Sequence, residues 1–280
     1  MSTNFDTRIT PARPDLAASF LKGVVSAERF SDGRPVHVTR GVVNLHAAPS
    51  QNSGLHTQLL FGEMFTVYED KDGWFWGQAT LDGYVGYARA STFGERGDAT
   101  HRVISLATPL LNAPDVKKGV RDMLPKNAQF CVAETGERFH RLTNGGYVFS
   151  GHTAPLDYRE PDWVAVAEEF AGVPYVWGGK SSAGIDCSGL VQTALQAGGR
   201  ESPRDTDMME AALGYSIPLD ADLRRGDLIF WKGHVGLMLD STRIIHANGY
   251  FMRVSVEPLV LVRERTRSLE GVPVRTIKRL

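Results

Sequence analysis

The chain has 280 residues, of which 31 are basic and 32 acidic, so its formal charge at pH 7 is -1. It is too long for one average domain, and an apolar content of 42% is enough to bury a core in two or three domains. A balanced charge does not favour binding to nucleic acid or to an anionic membrane surface. We therefore expect small-molecule or peptide partners, with no nucleic acid and no membrane among them.

The start of the chain, residues 1–14, lacks a basic segment followed by a long apolar stretch. No run elsewhere approaches the roughly 20 apolar residues of a membrane span. The sequence therefore predicts a cytoplasmic protein. Its only cysteines are Cys131 and Cys187, whereas secreted folds held by disulfides usually contain more. At least one of the two is predicted to be a free thiol.

Residues 1–35 are predicted to form an N-terminal arm. A short helix is expected over residues 15–22, since Pro14 precedes this segment and Gly23 follows it. Over residues 36–96 the sequence changes to brief alternating apolar runs divided by turn residues, such as GWFWGQA and GYVGYA. This texture is typical of a small all-β module.

The next stretch, residues 100–156, repeats landmarks of the first module. Residues 45–49 (LHAAP) have a counterpart in residues 110–114 (LLNAP), and Trp74 corresponds to Phe139 at the same offset. The repeat unit is about 60 residues long, and two copies are too few for a solenoid. A second, more divergent β module is therefore expected.

After residue 157 the pattern changes to α+β. A helix is predicted from residues 160–162, with an apolar stripe, ending before residues 172–174 (GVP). A second helix is predicted from Asp186 and Cys187 to the glycines at 198–199. Short strands are expected next, over residues 227–231, 234–239 and 243–247. The expected arrangement is a helix packed on an antiparallel sheet.

Cys187 is the candidate nucleophile because of its place in the sequence. A glycine-rich segment gives way to a helix here, and both the helix dipole and the unsatisfied N–H groups favour the thiolate. Counting three, four and seven residues onward reaches Leu190, Val191 and Ala194, so the thiol should face the sheet. Cys131, in the strand-like run FCVAE, is interpreted as a small buried apolar residue.

The predicted strands present two histidines to this thiol. His234 and Gly236 share one face of their strand, and a turn at residues 240–242 places His246 opposite Gly236. Diagonal neighbours of this kind lie ~7–8 Å apart, within reach of a hydrogen bond between long side chains. One imidazole can serve as general base to the thiol and the other can orient it. Such a set of Cys187, His234 and His246 needs no cofactor or metal, although a zinc site of the same residues is an alternative.

These residues fall within blocks that resemble the NlpC/P60 family of peptidases. The blocks are YVWGG at 175–179, DCSGLV at 186–191, RGDLIF at 225–230, HVG at 234–236 and IHA at 245–247. The resemblance implies a papain-like domain over residues 157–280 and a Cys-His-polar triad with His246 as third member. The modules at 36–96 and 100–156 resemble bacterial SH3 (SH3b) barrels. The predicted fold is thus multidomain, two small SH3-like β-barrels followed by an α+β papain-like catalytic domain.

The resemblance extends to cytoplasmic murein-peptide endopeptidases of that family, which cut the γ-D-glutamyl bond to a diamino acid. It implies a tri- or tetrapeptide substrate whose free N-terminal L-Ala amine enters a closed end of the pocket. The substrate-binding residues that it implies are Asp186, Ser188, Tyr175, Trp177, Glu63, Tyr84, Arg204 and Asp205. A buried ammonium must be paired with a carboxylate to offset its desolvation. Alternatives are a solvated turn residue for Glu63, a barrel-core aromatic for Tyr84 and a surface ion pair for Arg204 and Asp205.

Other functions on the same sequence are a murein-peptide binding module with an inactive papain-like domain, and a wall-degrading amidase or acyltransferase. The complete Cys/His/His set disfavours the first. The sequence leaves open which diamino acid is accepted and the oligomeric state. The segment after His246, residues 248–257, shows no specific pattern, and residues 259–280 receive no role.

Overall fold

A computed structural model describes residues 5–95, 97–269 and 271–280. The chain folds into compact units, Met1–Asp157 and Tyr158–Leu280. The first unit consists mainly of short strands, and the second combines helices with an antiparallel sheet. Among the described residues, no helix is both long and apolar enough to cross a membrane.

The N-terminal arm contains a strand where a helix was predicted. Residues 15–22 form strand β1 (Leu16–Ala18) and a 3₁₀ turn, and β1 pairs in parallel with β2 (Arg29–Ser31). The helix prediction is therefore wrong. An eight-residue helix is marginal by itself, and here Leu16 and Ala18 bury their side chains against Trp76 of the adjoining module. Tertiary burial decides the local structure.

The module predicted at 36–96 contains a sheet with the strand order β5-β4-β8-β7-β6-β3-β9. Its strands are β3 (Arg34–Val38), β4 (Val42–His46), β5 (Leu55–Leu60), β6 (Met64–Lys71), β7 (Trp74–Ala79), β8 (Val85–Arg89) and β9 (Phe93–Gly94). Asp72 and Gly73 join β6 to β7 with φ values of 52° and 76°. Both central residues of such a tight hairpin turn need positive φ, which the Asp-Gly pair adopts readily.

The following stretch is a second set of strands. They are β10 (His101–Val103), β11 (Ala107–Leu111), β12 (Val120–Pro125), β13 (Gln129–Phe130), β14 (Val132–Glu134), β15 (Phe139–Leu142), β16 (Tyr147–Phe149) and β17 (Thr153–Pro155). They form sheets with the orders β12-β11-β16-β15-β14 and β13-β10-β17. Cys131, expected on a strand in the core, lies between β13 and β14 and is partly exposed.

The second unit has helices α1 (Trp163–Glu168), α2 (Cys187–Ala197), α3 (Thr206–Ala212) and α4 (Leu259–Ser268). Its strands are β18 (Lys180–Ser181), β19 (Gly184–Ile185), β20 (Tyr215–Ile217), β21 (Leu228–Trp231), β22 (His234–Met238), β23 (Arg243–Asn248), β24 (Arg253–Pro258) and β25 (Thr276–Arg279). The main sheet has the order β20-β25-β21-β22-β23-β24, with antiparallel neighbours. The predicted helices at 163 and 187 and the three predicted strands are confirmed.

The tail over residues 259–280 is part of this core. Strand β25 lies between β20 and β21, and Ile277 is fully buried. On α4, Leu259 and Val262 pack in the same cluster as Ile229 and Trp231. The tail thus completes the sheet on which the candidate site is built.

Candidate active site

Cys187 is the first residue of α2, and its local structure follows from Asp186. The Asp186 side chain caps the helix by accepting from the N–H of Gly189 at 2.7 Å, and it also accepts from the N–H of Gly178 at 2.7 Å. The Cys187 thiol is free and only 5% exposed. It is hydrogen-bonded to the backbone of Val235, the residue after His234 on β22. The predicted orientation of the thiol toward the sheet is therefore confirmed.

The protonation of Cys187 differs from the expectation based on its helix position. Burial, together with the carboxylate of Asp186, raises the pKa of the thiol to about 12. Hydrogen bonds from the backbone of Val235 and Ser188 act in the opposite direction but are weaker. Removal from water thus outweighs the helix terminus, and the resting cysteine is a neutral thiol.

The two histidines meet across strands β22 and β23. Leu237 pairs with Ile245 and Met238 with Ile244, which puts His246 opposite Gly236 as predicted. His234 Nε2 and His246 Nδ1 are 2.8 Å apart, a hydrogen bond.

His234 is neutral in this environment. Burial lowers its pKa to about 3, with further contributions from His246 and Arg265. Its imidazole therefore lacks the second proton, and one ring nitrogen is able to accept it. The neutral thiol of Cys187 is hydrogen-bonded to the backbone of Val235, the residue that follows this imidazole on β22.

Glu257 is a site residue that the sequence analysis missed. His246 Nε2 and Glu257 Oε1 are 2.8 Å apart, and Arg265 donates to both oxygens of Glu257 at 2.7 and 3.0 Å. The interpretation of residues 248–257 as without specific pattern is therefore wrong. A signal was present, since Ser255 pairs with His246 in the ladder and Glu257 follows two residues later on the same strand face.

Arg204 holds a carboxylate of the protein itself. Its guanidinium donates to Asp186 Oδ1 at 2.9 Å and to Oδ2 at 2.7 Å, and also to Ser188 Oγ at 2.7 Å. The alternative of a surface ion pair is wrong, because Arg204 is only 1% exposed. The guanidinium of Arg204 is thus engaged by Asp186, and this pair fixes the start of α2 beside Cys187. Asp205, the next residue, precedes α3 as its cap.

Tyr175 and Trp177 lie in the loop before β18. The Tyr175 phenol is partly buried, and burial raises its pKa, with contributions from the neighbouring Cys187 and Asp186. It therefore faces the thiol. Trp177 is 67% exposed and turned to solvent. Of the predicted substrate residues in this unit, the structure gathers Asp186, Ser188 and Tyr175 around Cys187.

Glu63 and Tyr84 belong to the first unit, and their proximity to the catalytic cysteine stays a prediction. Glu63 is 7% exposed, so its alternative as a solvated turn residue is wrong. Tyr84 is 4% exposed and belongs to the apolar core of its sheet, with its ring edge against His56 at 5.6 Å.

The zinc alternative finds little support in the donor atoms. Both ring nitrogens of His246 are occupied, by His234 and by Glu257. Within residues 5–95, 97–269 and 271–280, no group of three histidine, cysteine, aspartate or glutamate side chains is arranged to hold a metal ion.

Comparisons with known proteins agree with this geometry. The pattern of the NlpC/P60 family matches residues 172–265, and that of the bacterial dipeptidyl-peptidase Sh3 domain matches residues 45–92. Dipeptidyl-peptidase 6 of Lysinibacillus sphaericus is 41% identical over 74% of this chain and 85% of its own. Gamma-D-glutamyl-L-lysine dipeptidyl-peptidase of Bacillus subtilis is 28% identical over 69% of this chain and 72% of its own.

Among solved structures, an NlpC/P60 family protein from Bacillus cereus ATCC 10987 shares the fold, with a TM-score of 0.75. It is 20% identical in sequence and is matched over 88% of this chain and 99% of its own. An SH3 domain followed by an NlpC/P60 domain is thus present. Together with the cysteine at a helix start beside paired histidines, these matches show that the chain is a cysteine peptidase and belongs to the NlpC/P60 family.

Proposed function

We propose that this peptidase hydrolyses the γ-D-glutamyl bond to a diamino acid in short murein peptides that carry a free N-terminal L-Ala. The observation that carries the proposal is the hydrogen-bonded pair of His234 and His246, on the sheet whose Val235 backbone is hydrogen-bonded to the buried thiol of Cys187. The names of the relatives support the bond, because two curated relatives are gamma-D-glutamyl-L-lysine dipeptidyl-peptidases.

Hydrolysis proceeds through an acyl-enzyme. As the sulfur of Cys187 attacks the γ-carbonyl carbon, its proton passes to the neutral His234, and backbone N–H groups at the start of α2 stabilise the oxyanion. His234 then protonates the leaving amine of the diamino acid. Water, activated by the same imidazole, releases the dipeptide and restores the thiol. His246 orients His234 throughout.

The substrate amine needs a carboxylate partner other than Asp186. Both oxygens of Asp186 already accept hydrogen bonds, from Arg204 and from backbone N–H groups. Its charge is therefore balanced within the protein. Glu63 and Tyr84 stay the proposed partners of the ammonium on the first unit, and Tyr175, Trp177 and Asp205 stay proposed substrate-binding residues on the second.

The proposed setting is the cytoplasm, where such peptides are recycled. Support comes from Cys131 and Cys187, which are both free thiols, as expected in a reducing compartment.

We also infer that residues 100–156 form a second SH3-type barrel. The strand order β12-β11-β16-β15-β14 repeats β5-β4-β8-β7-β6 of the first module, element by element. In each copy a 3₁₀ turn, Ala90–Thr92 or Ser150–His152, follows the equivalent strand β8 or β16.

The test of the function is incubation of the purified protein with L-Ala-γ-D-Glu-diaminopimelate and with its N-acetylated form. The proposal expects L-Ala-D-Glu and the free diamino acid from the first peptide, and slow turnover of the second. Equal rates of cleavage for both peptides would show that the enzyme does not recognise the free amine. Turnover of neither peptide, nor of the lysine analogue, would refute the function.

A further inference from the structure

We propose that Glu257 and Arg265 are positioning residues that set the tautomer of both histidines and so select Nδ1 of His234 as the base for Cys187. The inference rests on the proposed function only in taking Cys187 as the nucleophile. It adds two residues to the three that the sequence analysis assigned.

The residues form an unbroken series of side chains. His234 contacts His246 at 2.8 Å, His246 contacts Glu257 at 2.8 Å, and Arg265 donates to Glu257 at 2.7 and 3.0 Å. The middle of the series is buried, since His246 is 2% exposed and Glu257 is 9% exposed. The guanidinium of Arg265 lies over the ring of Tyr250, 4.4 Å from its centroid, which fixes the outer end.

The direction of each hydrogen bond follows from the charge of Glu257. Although burial raises its pKa, hydrogen bonds from His246 and Arg265 lower it to about 2, so the carboxylate is ionised. An ionised carboxylate only accepts hydrogen bonds. The proton between His246 and Glu257 therefore sits on Nε2 of His246. In a neutral imidazole the other nitrogen, Nδ1, must then accept.

The tautomer of His246 determines that of His234. Because Nδ1 of His246 accepts, Nε2 of His234 must carry the proton that it donates. The lone pair of His234 is then on Nδ1, the nitrogen not engaged with His246. In the attack, the S–H bond of Cys187 breaks and an N–H bond forms at Nδ1. With the opposite tautomer, His234 would present a proton to the thiol and could not act as base.

Arg265 holds Glu257 in place by donating to both of its carboxylate oxygens. Without this cation, the carboxylate could turn away from Nε2 of His246. His246 could then present either tautomer to His234. Among the described residues, the charged groups recorded against the imidazole pair are Glu257 on β24 and Arg265 on α4, and the thiol of Cys187 on α2 is hydrogen-bonded to the backbone beside His234.

The test compares Glu257→Gln and Arg265→Gln with a matched control, Asp227→Asn. Asp227 is 1% exposed and bound by Arg279 at 2.8 and 2.7 Å, so the control removes a similar ion pair from the same sheet without touching a histidine. One readout is the tautomer of His234 and His246 by nitrogen NMR of histidine-labelled protein. The other readout is kcat and KM on the free-amine tripeptide.

The parent and Asp227→Asn should show both histidines as Nε2–H tautomers. Glu257→Gln should show a mixture, because a glutamine amide can accept from or donate to His246. Its kcat should fall about 100-fold with KM nearly unchanged, less than the roughly 10⁴-fold cost of a wrong tautomer at a directly bonded orienter. Arg265→Gln should show a smaller fall in kcat than Glu257→Gln, because Glu257 keeps its contact with His246 but loses the cation that holds it.

A parent His234 with its proton on Nδ1 overturns the inference. So does a Glu257→Gln protein that keeps the parent tautomers and kcat, or an Asp227→Asn protein that loses as much kcat as Glu257→Gln. If the parent does not cleave the peptide, the proposed function fails. The tautomers of the parent still decide the inference in that case, and also if the variants do not fold.

Discussion

Cys187 and His234 are both uncharged at rest because burial disfavours the charged form of each. It raises the pKa of the thiol to about 12 and lowers that of the imidazole to about 3. Catalysis therefore requires the proton to move as the sulfur attacks. A preformed thiolate at the helix start, which the sequence pattern predicted, would not need this transfer.

The uncharged resting thiol of Cys187 predicts how its alkylation depends on pH. A raised pKa keeps the thiolate fraction small at neutral pH, and that fraction grows about tenfold with each pH unit below the pKa. Alkylation of Cys187 by iodoacetamide, followed by mass spectrometry of its peptide, should accelerate steadily from pH 7 to pH 10. Cys131 in the same digest controls for the reagent. A rate that is already at its plateau near pH 7 would indicate a resting thiolate.

Replacing His234 and replacing His246 should lower kcat by different amounts. His234→Ala removes the group that carries the proton and should lower kcat about 10³-fold, within the range of general-base catalysis. His246→Ala removes only the group that orients it and should cost less, and His246→Asn should retain part of the activity. Steady-state kinetics on the tripeptide measure both. A larger loss in His246→Ala than in His234→Ala would show that the roles are reversed.

The site could be predicted from the sequence only in part. Strand periodicity predicted that His234 and His246 meet, because it determines which side chains share a face, and helix periodicity predicted that Cys187 faces the sheet. Glu257 was missed because its significance depends on Arg265 and on pairing between β23 and β24. Such contacts join distant segments, and neither segment has a local sequence pattern that predicts the contact.

At the scale of the elements, local patterns predicted best where burial and propensity agree. Helix α2 and strands β21 to β23 lie where alternation and glycine stops put them. Residues 15–22 were assigned to the wrong structure because packing of Leu16 overrides a weak helical signal. The place of β25 between β20 and β21 could not be predicted, since pairing between distant segments leaves little trace in the local pattern.

The hairpin of β22 and β23 leads to a testable prediction at Gly236. A Cβ there would lie 2.5 Å from Cδ1 and 2.9 Å from Cγ1 of Ile244, a fully buried residue whose side chain or strand would have to shift. Gly236→Ala should therefore push β23 away, costing about 1–3 kcal/mol of stability and at least tenfold in kcat as His246 is displaced. Thermal unfolding and kinetics measure the two effects. Gly249→Ala is the control, because a Cβ there meets no atom within 4 Å. A Gly236→Ala enzyme with parental kcat would contradict this account of the hairpin.

At the scale of the whole molecule, the SH3 modules are proposed to take part in substrate recognition. If Glu63 pairs with the ammonium of L-Ala, Glu63→Gln should lower kcat/KM for the free-amine tripeptide by about 2–5 kcal/mol, the cost of unpairing a buried charge. The acetylated peptide should be affected far less. Glu69→Gln is the matched control, since Glu69 is bound by Arg13 in the N-terminal arm. If Glu63→Gln lowered kcat/KM equally for both peptides, the barrel would have no part in recognising the amine.

The most direct test of the central claim follows the products of L-Ala-γ-D-Glu-diaminopimelate by mass spectrometry with the parent, Cys187→Ala and Cys131→Ala proteins. The account predicts release of the diamino acid by the parent and by Cys131→Ala. It predicts none by a Cys187→Ala protein that unfolds at the parental temperature. Release of the same product by Cys187→Ala at the parental rate would contradict the account.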